Sequence, residues 1–286
     1  METKLLKPIG FCFGVIQAIE MAKKIKDDNL NKEVILFGEL VHNELVIENL
    51  KTYGIKIVEI GNDPIKLLEN FTPNQVIIFS AHGHPKKYED ILNKKGITFY
   101  DTTCVKVKKN IELIENNLDR GVIYIGKKNH HETIASLSVS DQVILYDINS
   151  SFDYQKVKFD QPIIVNQTTL SFLEISDIHN DILNHIPKAL ISDEICDATR
   201  ARQLALKNSD KNYDLVLVVG SEKSSNTNKL YMISKEYFNN SDCLMINKVE
   251  DLIHVDLKKY HRVLITSGTS TPIDTIYQIE KFLKEQ

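Results

Sequence analysis

Two hydrophobic patterns alternate along this chain. Short runs rich in Val, Ile and Leu predict parallel strands, because a strand covered on both faces shows no polar alternation. Val34–Gly38, Val122–Gly126 and Leu215–Gly220 are three such runs, each ending in glycine. Other stretches carry apolar or small residues at i, i+3 and i+4, the spacing of one helix face. These are Val15, Ile19 and Ala22; Val107, Ile111, Ile114 and Leu118; and Thr199 to Leu206, with Ala201, Leu204 and Ala205. A second strand is predicted after each glycine, at Lys56–Glu59, Val143–Tyr146 and Cys243–Ile246. A third run ends each time in small polar residues: Ser80-Ala81-His82-Gly83, Gln167-Thr168-Thr169 and Ser267-Gly268-Thr269-Ser270. A fourth strand is expected at Ile97–Tyr100, Ala189–Ile191 and Lys4–Leu6, the last placing the chain start with the third set.

The order of these elements repeats three times, and the cysteines mark the period. Cys12, Cys104 and Cys196 are each 92 residues apart. Each follows a predicted strand and precedes a predicted helix. A repeat of this length implies one supersecondary unit used three times. The expected architecture is α/β: three similar small parallel-sheet units with right-handed crossovers, in a pseudo-threefold, trefoil-like arrangement. The units span residues 1–103, 104–195 and 196–286. In open parallel sheets, ligands sit beyond the carboxyl ends of the strands. The cysteines and the polar turns all fall at such ends, so a threefold arrangement points them at one centre.

Composition narrows the function classes. There are 35 Lys+Arg against 39 Asp+Glu, a net charge of −4, so no basic excess is available to hold a nucleic-acid backbone. No apolar run approaches the roughly 18–20 residues that span a bilayer. The first twelve residues lack the apolar stretch of a secretory signal. Four cysteines in 286 residues make no disulfide framework. A cytoplasmic protein with reduced thiols is expected, with no membrane or nucleic-acid partner.

Three thiols at helix N-termini suit a metal centre, because the helix dipole and free N–H groups favour thiolate. Zinc with a histidine as fourth ligand is one candidate and an iron–sulfur cluster the other. No C-x-x-C pair is present. Cys243 has no counterpart in the repeat and reads as strand packing. His42, His82 and His130 occupy equivalent turns, where the third unit offers Ser224, Ser225, Asn226 and Ser270. These donors, with no Walker loop, suit a phosphate or diphosphate. Glu132 lies two residues beyond His130 and is a natural proton source beside an anion; its blander reading is a surface glutamate at a helix start. Function classes open to these residues alone include an iron–sulfur hydro-lyase and a non-enzymatic zinc or cluster module.

Nine motifs in order carry a resemblance. They are Gly10-Phe11-Cys12-Phe13-Gly14-Val15, Leu40-Val41-His42-Asn43, Ser80-Ala81-His82-Gly83, Asp101-Thr102-Thr103-Cys104, His130 with Glu132, Gln167-Thr168-Thr169, Ile195-Cys196-Asp197-Ala198-Thr199, Ser224-Ser225-Asn226 and Gly268-Thr269-Ser270. Together they resemble the 4-hydroxy-3-methylbut-2-enyl diphosphate reductases of the methylerythritol phosphate route to isoprenoids. The resemblance implies a three-lobed fold around a [4Fe–4S] cluster held by Cys12, Cys104 and Cys196, with the fourth iron open to the substrate hydroxyl. It implies a diphosphate pocket of His42, His82, His130, Ser224, Ser225, Asn226 and Ser270, with Thr168 and Glu132 at the hydroxyl and Glu132 feeding protons. The implied reaction removes the hydroxyl with two electrons and two protons, giving isopentenyl and dimethylallyl diphosphate. The implied electron donor is a ferredoxin or flavodoxin. Departures are Val105 and His131 where the family often has proline, Lys127 where it usually has a histidine, and Thr199-Arg200-Ala201-Arg202-Gln203 against a common Thr-x-Asn-Arg-Gln.

Overall fold

A computed structural model describes residues 1–192 and 195–286. Residues 193 and 194, inside the span expected for the second unit, lie outside the described residues. The chain opens with strand β1 (Glu2–Leu5) and helix α1 (Phe13–Asp28). The first complete set follows: β2 (Glu33–Phe37), α2 (Glu44–Thr52), β3 (Lys56–Val58), α3 (Pro64–Glu69), β4 (Gln75–Phe79), α4 (Lys86–Lys94) and β5 (Thr98–Asp101). Helix α5 (Val105–Glu115) leads into the second: β6 (Val122–Gly126), α6 (His131–Leu137), β7 (Val143–Asp147), β8 (Ile163–Asn166), α7 (Phe172–His185) and β9 (Leu190–Ile191). Helix α8 (Asp197–Asn208) begins the third, with β10 (Leu215–Val219), α9 (Ser225–Tyr237), β11 (Asp242–Ile246), β12 (Arg262–Ser267) and α10 (Ile273–Lys284).

The strands form three four-stranded parallel sheets, ordered β3-β2-β4-β5, β7-β6-β8-β9 and β1-β12-β10-β11. β1 pairs with β12, Glu2 opposite Arg262, so the chain start lies in the sheet made by the chain end. Helices cover both faces of each sheet, and the strand residues divide by parity. In the first sheet Val34, Leu36, Val76 and Ile78 enter one core and Ile35, Phe37, Ile77 and Phe79 the other. The other sheets divide the same way, with Leu215, Leu217 and Val219 on one side and Val216 and Val218 on the other. That two-sided burial is why these runs show no polar alternation. Among the described residues, no helix is long and apolar enough to cross a membrane.

Several element ends shift by one or two residues from the sequence expectation, and two of the differences have a clear local cause. The helix expected to reach Leu118 stops at Glu115, because Leu118 enters a separate 3₁₀ turn, Leu118–Arg120, that ends at Gly121 with φ +77°. The strand expected over Ala189–Ile191 is two residues long; Ala189 instead packs in the core under α7.

Candidate active site

Backbone hydrogen bonds build the centre with threefold regularity. Cys12, Cys104 and Cys196 are the N-caps of α1, α5 and α8. Each cysteine N–H donates to the second residue past the end of a central strand: Cys12 to Thr269 O at 2.9 Å, Cys104 to Ala81 O at 2.9 Å and Cys196 to Thr168 O at 3.1 Å. Each cysteine C=O accepts the first helical bond, from Ile16, Lys108 and Arg200. N-caps are usually Ser, Thr, Asp or Asn, whose oxygen bonds the helix end. Here no cysteine makes a side-chain cap bond. The thiols are half-buried and within electrostatic reach of one another. Gly14 leaves room for one of them, since a Cβ there would lie 2.5 Å from Cys104 Sγ.

At Cys12 and Cys104 the helix N–H groups favour thiolate as expected, but they are outweighed. Burial pushes the Cys12 and Cys104 thiols up, and the backbone N–H groups only partly oppose it. A coordinated metal deprotonates such thiols outright. Among the described residues, no three His, Cys, Asp or Glu groups gather as ligands of one ion. Cys243, by contrast, sits in β11 with its sulfur 3.9 Å from Ser241 O.

Glu132 is a core residue, 1% exposed, and not the surface glutamate that its place at a helix start suggests. Both carboxylate oxygens accept from Thr168, one from N–H at 2.9 Å and one from Oγ1 at 2.9 Å. The Tyr124 hydroxyl lies close without hydrogen-bond geometry. Burial outweighs the Thr168 bonds and lifts the carboxyl from 4.5 to about 7. Thr168 therefore has two roles: its N–H and hydroxyl hold the acid, and its carbonyl holds Cys196.

Four imidazoles meet beside this acid. His42 and His82 stack at 4.3 Å, and His130 stands edge-on to both at 5.7 Å. His131 joins them, 5.6 Å from His42 and 6.1 Å from His82. His130 caps α6 by accepting the Glu132 N–H on Nδ1 at 3.2 Å, which leaves its proton on Nε2. His42 Nδ1 is 3.0 Å from Glu39 Oε2. Desolvation and mutual repulsion hold His82 well below the usual range, His130 at about 3, and His131 lower than normal.

The third unit closes the ring with hydroxyls and an amide. Ser224 caps α9, accepting from Thr227 N–H at 3.3 Å, and Ser225 and Asn226 occupy the first turn. Gln167 crosses to this unit, its amide 3.5 Å from Ser225 Oγ, while its oxygen accepts Lys127 N–H at 3.0 Å. Both ends of the Asn226 amide, Ser270 Oγ and His82 Nδ1 are buried without a protein partner. Buried polar groups are ordinarily satisfied, so these atoms have hydrogen-bonding capacity left for a polar ligand. A cleft of about 720 Å³, lined by His42, Lys127, His130, His131, Lys223 and Ser225, leads in from solvent.

The structure thus sets the predicted cysteines within reach of one another, packs the three histidines together, joins Glu132 to Thr168 and so to Cys196, and places Ser225 beside Gln167. The sequence reading did not assign roles to His131, Gln167 or Arg202. His131 carried a signal in its adjacency to His130 and Gln167 in its motif. Arg202 matched the arginine of the Thr-x-Asn-Arg-Gln stretch, but a charged helix residue ordinarily faces water, so its burial was not foreseen.

A relative from Malacoplasma penetrans, 4-hydroxy-3-methylbut-2-enyl diphosphate reductase, is 35% identical over 95% of this chain and 93% of its own. One of the same name from Bacillus subtilis is 31% identical over 100% and 91%. The solved structure of E-1-hydroxy-2-methyl-but-2-enyl-4-diphosphate reductase from Plasmodium falciparum superposes with a TM-score of 0.86 at 28% identity, covering 98% of this chain and 87% of that one. The LytB protein family matches residues 3–284, and the chain belongs to that family.

Proposed function

We propose that this chain reduces 4-hydroxy-3-methylbut-2-enyl diphosphate, replacing its hydroxyl by hydrogen with two electrons and two protons and releasing water. The products are isopentenyl and dimethylallyl diphosphate. The names of the relatives support the reaction. The observation that carries it here is Thr168, which ties a buried carboxyl to the turn that positions Cys196. A proton source is thereby built against the three-cysteine centre.

Cys12, Cys104 and Cys196 would hold a [4Fe–4S] cluster. The donor set fits it: three thiols from three units, close enough to influence one another, each an N-cap whose side chain makes no cap bond. Bound there, the cluster would supply Lewis acidity at the hydroxyl oxygen and electrons one at a time. Those electrons would come from an external one-electron protein, a ferredoxin or flavodoxin.

The chain's own groups do the rest. The diphosphate enters the cleft and meets His42, His82 and His130 from two units and Ser225, Asn226 and Ser270 from the third. Asn226 and Ser270 gain the partners they lack. Burial and mutual repulsion keep His82 and His130 neutral, and they take up protons beside an anion, since a negative charge favours the charged form. This remote binding energy fixes the allylic end. Glu132, near 7, is half protonated at neutral pH and delivers a proton to the leaving oxygen. Thr168 holds the carboxyl in place for that transfer.

The test is purification without oxygen, iron and sulfide analysis, and turnover of the allylic alcohol diphosphate with a chemical reductant. About four irons per chain and both isoprenoid products are expected. Turnover without any reductant would instead identify a hydro-lyase, and one zinc in a colourless protein a structural module.

A further inference from the structure

Arg202 lies on α8, six residues after Cys196, and is 3% exposed. A guanidinium carries five N–H donors in one plane and stays charged. Here Nη1 donates to Ala198 O at 2.9 Å and Nη2 to Gly10 O at 2.6 Å, while Nε has no partner. Among the described residues no carboxylate acts on this cation. The titratable groups that do are the Cys12 and Cys196 thiols, which turn anionic once a bound metal deprotonates them. A buried cation without a counter-ion is strongly disfavoured, so its persistence here points to negative charge gathering at those sulfurs.

The bond to Gly10 has a mechanical meaning as well. Gly10 lies two residues before Cys12 and takes a φ of +78°, open to glycine but strained for other residues. Its N–H donates to Ser267 Oγ at 2.8 Å, and its C=O accepts from Arg202. The Cys12 loop is therefore pinned on one side to β12 and on the other to the helix that Cys196 caps.

We propose that Arg202 is a positioning residue for the three-cysteine centre: it fixes the Cys12 loop against the Cys196 helix and supplies the charge that balances the thiolates and the electrons added between them. This rests on reading the cysteines as ligands of an iron–sulfur cluster. Two effects follow and can be separated. A nearby positive charge stabilises the reduced, more negative state and raises the reduction potential. The tie to Gly10 sets the spacing of two ligands and so governs how firmly the cluster is retained.

The experiment uses the holoprotein, reconstituted without oxygen, and reads the midpoint potential and the rate of cluster loss to a chelator. Arg202→Gln removes the charge and weakens the tie, so the potential moves negative and loss accelerates. Arg202→Lys keeps the charge without the planar fork, so the potential stays near wild type while loss accelerates. Ser267→Ala frees Gly10 from the other side and gives the same signature as Arg202→Lys. A wild-type potential in Arg202→Gln overturns the charge role. Wild-type loss rates in Arg202→Lys and Ser267→Ala overturn the positioning role, and these variants decide it even if Arg202→Gln fails to fold. A wild-type chain that takes up no cluster overturns the underlying reading as well. A normal wild-type cluster indifferent to all three substitutions overturns this inference alone.

Discussion

Replacing Glu132 by glutamine should slow catalysis and raise stability at once. The substitution keeps the side chain's size. The new amide oxygen can still accept the Thr168 N–H, and the new NH₂ can donate to Thr168 Oγ1, so packing is retained and one bond reverses. The proton is lost, and removal of a general acid typically costs about 10²–10⁴-fold in rate. Stability moves the other way. The carboxyl titrates at about 7 when folded, against an ordinary 4.5. The folded protein thus favours the protonated form. Relative to low pH, it loses stability progressively from about 4.5 until the group is fully ionised above about 7. At 1.36 kcal/mol per pH unit, that loss is of order 3 kcal/mol. Glu132→Gln has no such term. The stability difference between variant and wild type should therefore grow in the variant's favour between pH 4.5 and pH 8. Urea denaturation of the metal-free chains across that range measures it. Steady-state turnover with excess reductant should show the rate loss, together with disappearance of the wild-type decline above pH 7. Turnover within about tenfold of wild type, with that alkaline decline retained, would refute the assignment of Glu132 as the acid. An unchanged pH dependence of stability would refute its burial as a raised carboxyl.

Other outcomes follow from the same geometry. Serine at Cys12, Cys104 or Cys196 should sharply lower iron content, while Cys243→Ser should keep both iron and turnover; metal analysis of the four purified variants decides. Gly14→Ala places a Cβ 2.5 Å from Cys104 Sγ, so the protein should fold, by circular dichroism, yet retain much less iron; full iron would show that the thiol has room to move. His82→Ala and Ser225→Ala should raise KM with the cluster spectrum unchanged, whereas equal KM for wild type and variants would place the diphosphate elsewhere. His130 is held at about 3 against a usual 6.5, so the ligand-free protein should lose stability as pH falls from 6.5 towards 3. Inorganic pyrophosphate should blunt that loss and bind with proton uptake, measured by titration calorimetry in buffers of different ionisation heat; proton-neutral binding would contradict the imidazole pocket.

Much of this protein was legible in its sequence, because its local patterns repeat. The 92-residue cysteine spacing, the β-branched runs and the polar turns gave three parallel α/β units, since a doubly buried strand and an amphipathic helix leave different periods in the chain. The pairing of β1 with β12 was also foreseeable, for the third set otherwise lacked its strand before a cysteine. Convergence decided what the sequence could not. Glu132 is at a helix start, where glutamate commonly faces water; only the packing of α6 against the turn after β8 buries it and lifts its pKa. His131 became a fourth imidazole because α6 begins beside His42 and His82 of another unit. The thiols of Cys12 and Cys104 are pushed up because desolvation in the assembled centre exceeds what local helix N–H groups offer. Arg202 is buried against Gly10, 192 residues away, a contact that no local pattern encodes. Periodicity records which face of an element is covered, but the electrostatics of a residue depend on what covers it, and that is settled only when the three units close on one another.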